Sequence, residues 1–404
     1  MNSFRQTLLF VHASADLYGS DITLLQLVSG LVRARFRAIV VLPYSGPLAE
    51  RLRSVGAEVA VNTALPVVRR QYMNVKGLYR LASLLPSVGW LAKLIRQREV
   101  ALVHSNTLSV SIAGLAARLA GRPQIWHVHE VLIRPRIVAS LLATLSSAVS
   151  TQVVANSRTT ADHYRRTRWF SSTPIRVIPN GVDESRLRSR PGLSLRSLVG
   201  AGPEDTVFTL IGRINLGKGH SVFLDAAERL AAEAEDARFL IVGDSFAGQE
   251  HLTEAVDSRI RSSYVLRERM IRIPHISEVG SVYAASDVVV TPSILPESFG
   301  LVAVEAMSAG LPVIASRIGA LPEVVGDHTG ILVEPGDTAS LLVAMEKLRA
   351  SPSQRAEMGR QGRERFKRCF DGERYVTEFI RLYEEILGSS PGIYTRSQSR
   401  YRGF

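Results

Sequence analysis

The sequence predicts an α/β protein built from two doubly wound domains that face each other across a cleft, and three observations carry the prediction. Short β-branched runs alternate with longer helical patterns from one end of the chain to the other, the signature of βαβ units around parallel sheets. One polar, Arg- and Ser-rich stretch at 184–204 divides the alternation into two series of similar size. At 404 residues the chain exceeds one ordinary core and suits two domains of typical size.

In the first series the strand candidates are 7–14, 36–43, 57–63, 100–106, 123–129 and 150–156. Several are apolar throughout, as strands covered on both faces should be. Helical stretches such as 21–34 and 109–120 lie between them, the latter closed by Gly121 and Pro123, a usual helix stop. The second series offers strands at 206–213, 237–243, 270–275, 286–292, 312–316 and 331–334. The expected organisation is a first domain over 1–183, a linker over 184–204 and a second domain over 205–370. A helix over 371–388 should return to the first domain, and the polar tail 389–404 should be loose. Open α/β sheets bind ligands beyond the carboxyl ends of their strands, so strand ends should line the cleft.

Composition narrows the class. Hydrophobic content of 46% and charged content of 21% describe a globular protein rather than a disordered or fibrous one. The single cysteine, Cys369, leaves no internal disulfide and fits a reducing compartment. The apolar start of the chain is too short for a signal-peptide core, and no apolar run is long enough to span a bilayer, so a cytoplasmic protein is expected. A net charge of +12 attracts acidic partners. Residues 69–98 hold Arg69, Arg70, Lys76, Arg80, Lys93, Arg96 and Arg98 with no acid, interleaved with Leu81, Leu84, Leu85 and Trp90. That mixture at helical spacing reads as peripheral contact with an anionic membrane; an ordinary amphipathic helix packed on a sheet is the competing reading. No helix-turn-helix, zinc or RNA-binding motif accompanies the charge, so nucleic acid is not expected as a partner.

Chemistry concentrates in PESFGLVAVEAMSAGLPVIAS, residues 296–316. Gly300 lets a backbone turn enter a helix whose first amides are free, and those amides with the positive dipole end suit an anionic or hydroxyl-rich ligand. Glu297 and Glu305 flank that turn and can accept hydrogen bonds from sugar hydroxyl pairs.

This segment resembles the E-x-F-G-x-x-x-x-E signature of glycosyltransferase family 4, retaining enzymes of GT-B fold with two Rossmann-like domains around a central cleft. The resemblance extends to GRINLGKGH at 212–220, LIVGD at 240–244, AASDVVVTPS at 284–293, GALPEVV at 319–325, GILVEPGD at 330–337 and IPNGVD at 178–183. It implies a nucleotide-diphosphate sugar as co-substrate, a UDP- or GDP-sugar, and a saccharide or lipid-linked acceptor, with a place in bacterial cell-surface polysaccharide or lipopolysaccharide synthesis. Arg213 and Lys218 correspond to the family's basic pair on the donor diphosphate, where a fork and a point charge stabilise the leaving group. Glu305 corresponds to the residue on the ribose hydroxyls and Glu297 to the one that reads the donor sugar. Ser298 and the backbone of Phe299, Gly300 and Leu301 would sit against sugar and phosphate.

The first half departs from the family pattern at the entry to its first helix. Many relatives carry Gly-Gly there, whereas this chain has Gly19-Ser20; Gly19 still lets an amide approach a phosphate. WHVHE at 126–130 resembles the strand end where a His stands close to the reacting sugar. His129 is the better match and His127 the runner-up, and alternation puts both on one face. His127, with His104 at another strand end, is a candidate for the acceptor side. No D-x-D triplet and no metal-ligand spacing occur, so neither a metal nor another cofactor is expected. The alternatives are an epimerase or phosphorylase of the same architecture, and an inactive nucleotide-sugar-binding protein.

Overall fold

The structure is a computed structural model that describes residues 6–67, 84–110, 112–130, 136–166, 173–187, 195–276 and 278–388. Seven strands form the first sheet: β1 (Thr7–Val11), β2 (Arg37–Leu42), β3 (Glu58–Val61), β4 (Leu102–Ser105), β5 (Gln124–Val128), β6 (Gln152–Ala155) and β7 (Ile175–Val177). All pair in parallel, in the order β3-β2-β1-β4-β5-β6-β7. Six more form the second: β8 (Thr206–Ile211), β9 (Ala237–Val242), β10 (Met270–Ile273), β11 (Val288–Thr291), β12 (Val313–Ser316) and β13 (Gly330–Val333). They too are parallel, in the order β10-β9-β8-β11-β12-β13. β7 has no counterpart among the sequence candidates, because three residues at a sheet edge make no legible apolar run.

Each sheet is covered on both faces, which is why its central strands are apolar at consecutive positions. In the first domain one core layer joins the sheet to the helix Gly19–Arg33, and the other joins it to Leu84–Gln97 and Ile112–Leu119. In the second, the helices His220–Glu233 and Thr338–Ala350 pack on one face and Leu301–Ser308 with Pro352–Cys369 on the other.

The chain crosses back at its end. The helix Gly372–Gly388 buries Tyr375, Val376, Phe379, Leu382 and Tyr383 in the core of the first domain. It lies against the helix Gly19–Arg33 so closely that a Cβ on Gly30 would stand 2.5 Å from Val376 Cγ1. The two crossings run side by side, Val182 pairing with Asp371. Within the expected linker, residues 184–187 form a 3-10 turn and 195–198 a helical turn. The tail 389–404, and Arg69, Arg70, Lys76, Arg80 and Leu81 of the basic stretch, lie outside the described residues.

Both sheets reverse strand order once, between β1 and β4 in the first and between β8 and β11 in the second. At such a switch the following loops part in opposite directions and leave a crevice at the carboxyl ends. The two crevices face each other, and everything in the candidate site hangs from these strand ends.

Candidate active site

A cavity of about 390 Å³ lies between the domains. Its lining includes Gly19, Ser20, His129, Arg213, Lys218, Glu297, Ser298, Phe299, Gly300, Leu301 and Glu305. Thirteen residues were singled out from the sequence; these eleven line the cavity together with a residue the sequence offered no reason to expect there, Glu130.

The second-domain wall is built on the loop that leaves β11. Ser293 Oγ donates to Glu297 Oε1 at 2.6 Å, and Lys218 Nζ meets the same oxygen at 2.6 Å. Burial opposes ionisation of Glu297, but the Lys218 ammonium and the two hydrogen bonds outweigh it and hold the carboxyl below its ordinary range. Gly219, at φ +73°, caps the following helix, and a Cβ there would fall 1.8 Å from the Pro292 carbonyl oxygen. Glycine is thus what lets the Lys218 loop lie against the Glu297 loop.

Gly300 opens the helix Leu301–Ser308 at φ +100°, where a Cβ would come 2.7 Å from Leu321 Cδ2. The amides of Leu301 and Val302 head that helix, where the helix itself supplies no acceptor, a ready donor pair for an anion or hydroxyl. Glu305 sits one turn in and is buried. Burial pushes its carboxyl up, against the Tyr283 hydroxyl, which donates to Oε2 at 2.7 Å, and the Arg186 charge.

Arg213 follows β8 and is held between two rings, its guanidinium carbon 3.7 Å from the Tyr18 centroid and 3.4 Å from that of Phe246. Burial lowers its pKa, and among the described residues its buried Nε has no hydrogen-bond partner. Tyr18 belongs to the first domain, so this stack ties the walls together. A second tie runs through the Ser298 carbonyl, which accepts from Ser157 Oγ at 2.7 Å and Thr160 Oγ1 at 3.1 Å. Glu323 accepts from the amides of Arg158 and Thr159 at 2.9 and 3.2 Å, at the start of the helix Arg158–Arg165.

The first-domain wall is a buried polar set at the ends of β1, β4 and β5. His12 Nε2 lies 2.6 Å from Asp21 Oδ1, Asn106 Nδ2 lies 3.1 Å from His12 Nδ1, and His129 Nε2 lies 3.3 Å from Asn106 Oδ1. Glu130 Oε2 accepts from the amides of His129 and Leu108, yet burial dominates and pushes its carboxyl up. Asn156 and Asn180 also line the cleft, and among the described residues their buried Oδ1 atoms have no partner. An unpaired buried acceptor beside a cavity suits a hydroxyl-bearing ligand. Sequence reasoning passed over His12, Asp21, Asn106, Glu130, Asn156 and Asn180; for His12, Asn106, Glu130 and Asn156 the signal available was polarity one or two residues past a strand, and Asp21 and Asn180 offered none.

His104 and His127 do not reach the cleft, which corrects the expectation for the acceptor side. Both are fully buried between the first sheet and the helix Gly372–Gly388. His104 Nδ1 pairs with the Tyr383 hydroxyl at 2.8 Å, and burial with the neighbouring His129 drives its pKa down to about 3. The reason is register. His104 pairs with Phe10 inside β4 and His127 with Val154 inside β5, whereas His129 lies past the last paired residue, Val128.

A family profile described as glycosyl transferases group 1 matches residues 196–365, and one described as glycosyltransferase family 4 matches residues 18–186. The D-inositol 3-phosphate glycosyltransferase of Saccharomonospora viridis is 30% identical over 338 residues, covering 81% of this chain and 74% of that protein. Its namesake from Segniliparus rotundus is 32% identical over 295 residues, covering 70% of this chain and 62% of its own length, so the chain spans less than two thirds of that relative. Among solved structures, Anabaena HepE in complex with UDP and glucose superposes with a TM-score of 0.80 at 22% identity, over 94% of this chain and 100% of that one.

Proposed function

The chain belongs to the family 4 glycosyltransferases of GT-B fold, and we propose that it moves a sugar, with retention and without a metal, from a nucleotide-diphosphate donor to a hydroxylated acceptor. One observation carries the reading. Lys218, Arg213, Glu297, Glu305 and the free amides of Leu301 and Val302 converge on one cavity from the second domain, with His129 opposite.

Each group has a part in that reaction. Lys218, Arg213 and the helix amides take the negative charge that grows on the departing diphosphate, so that no cation is needed. Glu305 keeps Tyr283 on Oε2 and offers Oε1 to the ribose hydroxyl pair. Glu297, fixed by Lys218 and Ser293, accepts from a donor-sugar hydroxyl. His129, Glu130, Asn156 and Asn180 form the wall against which reacting sugar and acceptor lie.

The donor is a UDP- or GDP-sugar, and the acceptor a saccharide or lipid-linked glycan of bacterial cell-surface polymers. The names of the relatives make inositol 3-phosphate the first soluble acceptor to try. Work at the cytoplasmic face of a membrane fits the described part of the basic stretch. The helix Leu84–Gln97 turns Val88, Leu91 and Ile95 into the core and leaves Leu85 83% and Trp90 37% exposed, beside Lys93 and Arg96. Among the described residues no helix is long and apolar enough to cross a membrane.

The experiment is a thermal-shift screen of nucleotide sugars, then assay of the stabilising donor with an acceptor panel in excess EDTA. Glycosylated product in EDTA supports the reading. An epimerised nucleotide sugar without transfer would favour the epimerase, and a requirement for added divalent metal would overturn the metal-free step.

A further inference from the structure

His129 ends a buried hydrogen-bonded chain whose direction is set from its far end. A carboxylate only accepts, so the contact between Asp21 Oδ1 and His12 Nε2 at 2.6 Å requires the His12 proton on Nε2. Asp21 Oδ2 is itself held by the Tyr18 amide at 2.9 Å, so the carboxylate has a fixed orientation. Asn106 Nδ2 is a donor, and at 3.1 Å from His12 Nδ1 it meets the lone pair which that tautomer leaves. The amide then turns Oδ1 toward His129, where it accepts from Nε2–H at 3.3 Å.

We propose that Asp21, His12 and Asn106 are positioning residues which hold His129 in its Nε2–H tautomer, leaving the Nδ1 lone pair as an acceptor for a sugar or acceptor hydroxyl in the cleft. The set is dry enough to enforce this. His12, Asp21 and Asn106 are almost wholly buried, and His129 is the member of the chain that lines the cavity. His129 also stays neutral: burial, the largest cause, drives its pKa down to about 3. A neutral ring with one nitrogen committed offers the ligand a single acceptor, so a bound hydroxyl must donate to it. The same logic fixes imidazole tautomers wherever a second partner claims the other ring nitrogen.

The inference rests on the transferase reading only for what occupies the cleft; the tautomer itself is measurable without substrate. Nitrogen-15 NMR of histidine-labelled protein, with His129 assigned through His129→Gln, reports which ring nitrogen carries the proton. The parent is expected to show His129 protonated on Nε2 and bare on Nδ1. Asn106→Leu should populate both tautomers and lower kcat about 10- to 100-fold, with donor KM within about twofold. Asn106→Asp loses the donor to His12 Nδ1 but keeps an oxygen that accepts from Nε2–H of His129, so it should keep the His129 tautomer and most of kcat. A parent proton on Nδ1 of His129 would overturn the proposal, as would an unchanged tautomer in Asn106→Leu or equal loss of kcat in both variants. If Asn106→Leu does not fold, the parent and Asn106→Asp spectra decide. A protein that turned over no nucleotide sugar would end the transferase reading and leave the tautomer result standing.

Discussion

At the scale of single residues, the site sets two carboxylates against opposite surroundings. Among the described residues Glu305 is buried without a cation in hydrogen-bonding contact, and its carboxyl is pushed up. A raised carboxyl favours its protonated form in the fold, so Glu305 costs stability as pH rises through its folded pKa. Glu305→Gln keeps an acceptor for Tyr283 and removes the charge. It is expected to raise Tm at neutral pH while weakening donor binding by about 1.5–3 kcal/mol, read by melting and calorimetry. Equal Tm together with unchanged donor affinity would remove Glu305 from the ribose. Glu297 has the opposite sign. Its folded pKa is depressed, so the Lys218 pair contributes stability present above the ordinary carboxylate range and lost as pH falls through the folded value. The Tm gap between parent and Lys218→Ala should therefore be widest near neutral pH and close in acid. Lys218→Ala should also lower kcat about 100- to 1,000-fold, and donor affinity far less, because diphosphate charge grows toward the transition state. Parental turnover in that variant would show the ammonium to be structural.

At the scale of elements, the turn at Gly300 is where sequence and geometry agree most closely. Its positive φ strains any side chain, and a Cβ there would press on the tip of Leu321. Gly300→Ala should destabilise the fold by about 1–3 kcal/mol and shift the Leu301 and Val302 amides, raising donor KM. A crystal structure of the variant with an unmoved turn and parental KM would contradict this. The sheets and the second-domain wall were legible because each rests on a local signal: apolar strand runs, a glycine before a helix, acids and bases at fixed spacing. The first-domain wall was not, because Asp21, His12, Asn106 and His129 lie far apart in sequence and meet only when β1, β4 and β5 are adjacent. His104 and His127 misled for a related reason. Alternation reports the face of a strand, but both faces here are covered, and of these three histidines only His129, past the last paired position, reaches the cleft. Nor could sequence place Tyr18, whose stack on Arg213 depends on how the two domains meet.

For the whole molecule, function depends on keeping the two switch-point crevices opposed. The helix Gly372–Gly388 returns to the first domain, the Ser298 carbonyl is held by Ser157 and Thr160, and Arg213 lies between Tyr18 and Phe246. The exposed side of the helix Leu84–Gln97 belongs to this scale too, since it would aim the acceptor wall at a bilayer. The protein is expected to sediment with anionic liposomes, much less with neutral ones, and to be released by salt as its charges are screened. Equal binding to both vesicle types, or none, would return this helix to the role of a packing element. The central claim is sugar transfer driven by charge stabilisation in the cleft. It is tested most directly by following nucleoside diphosphate release and glycosylated product together, with the stabilising donor, an acceptor and EDTA. The expected result is one diphosphate released per product, with product keeping the donor's anomeric configuration and both signals falling together in Lys218→Ala. Inverted product would contradict retention, and a tightly bound donor that yields neither diphosphate nor product with any acceptor would contradict the claim itself.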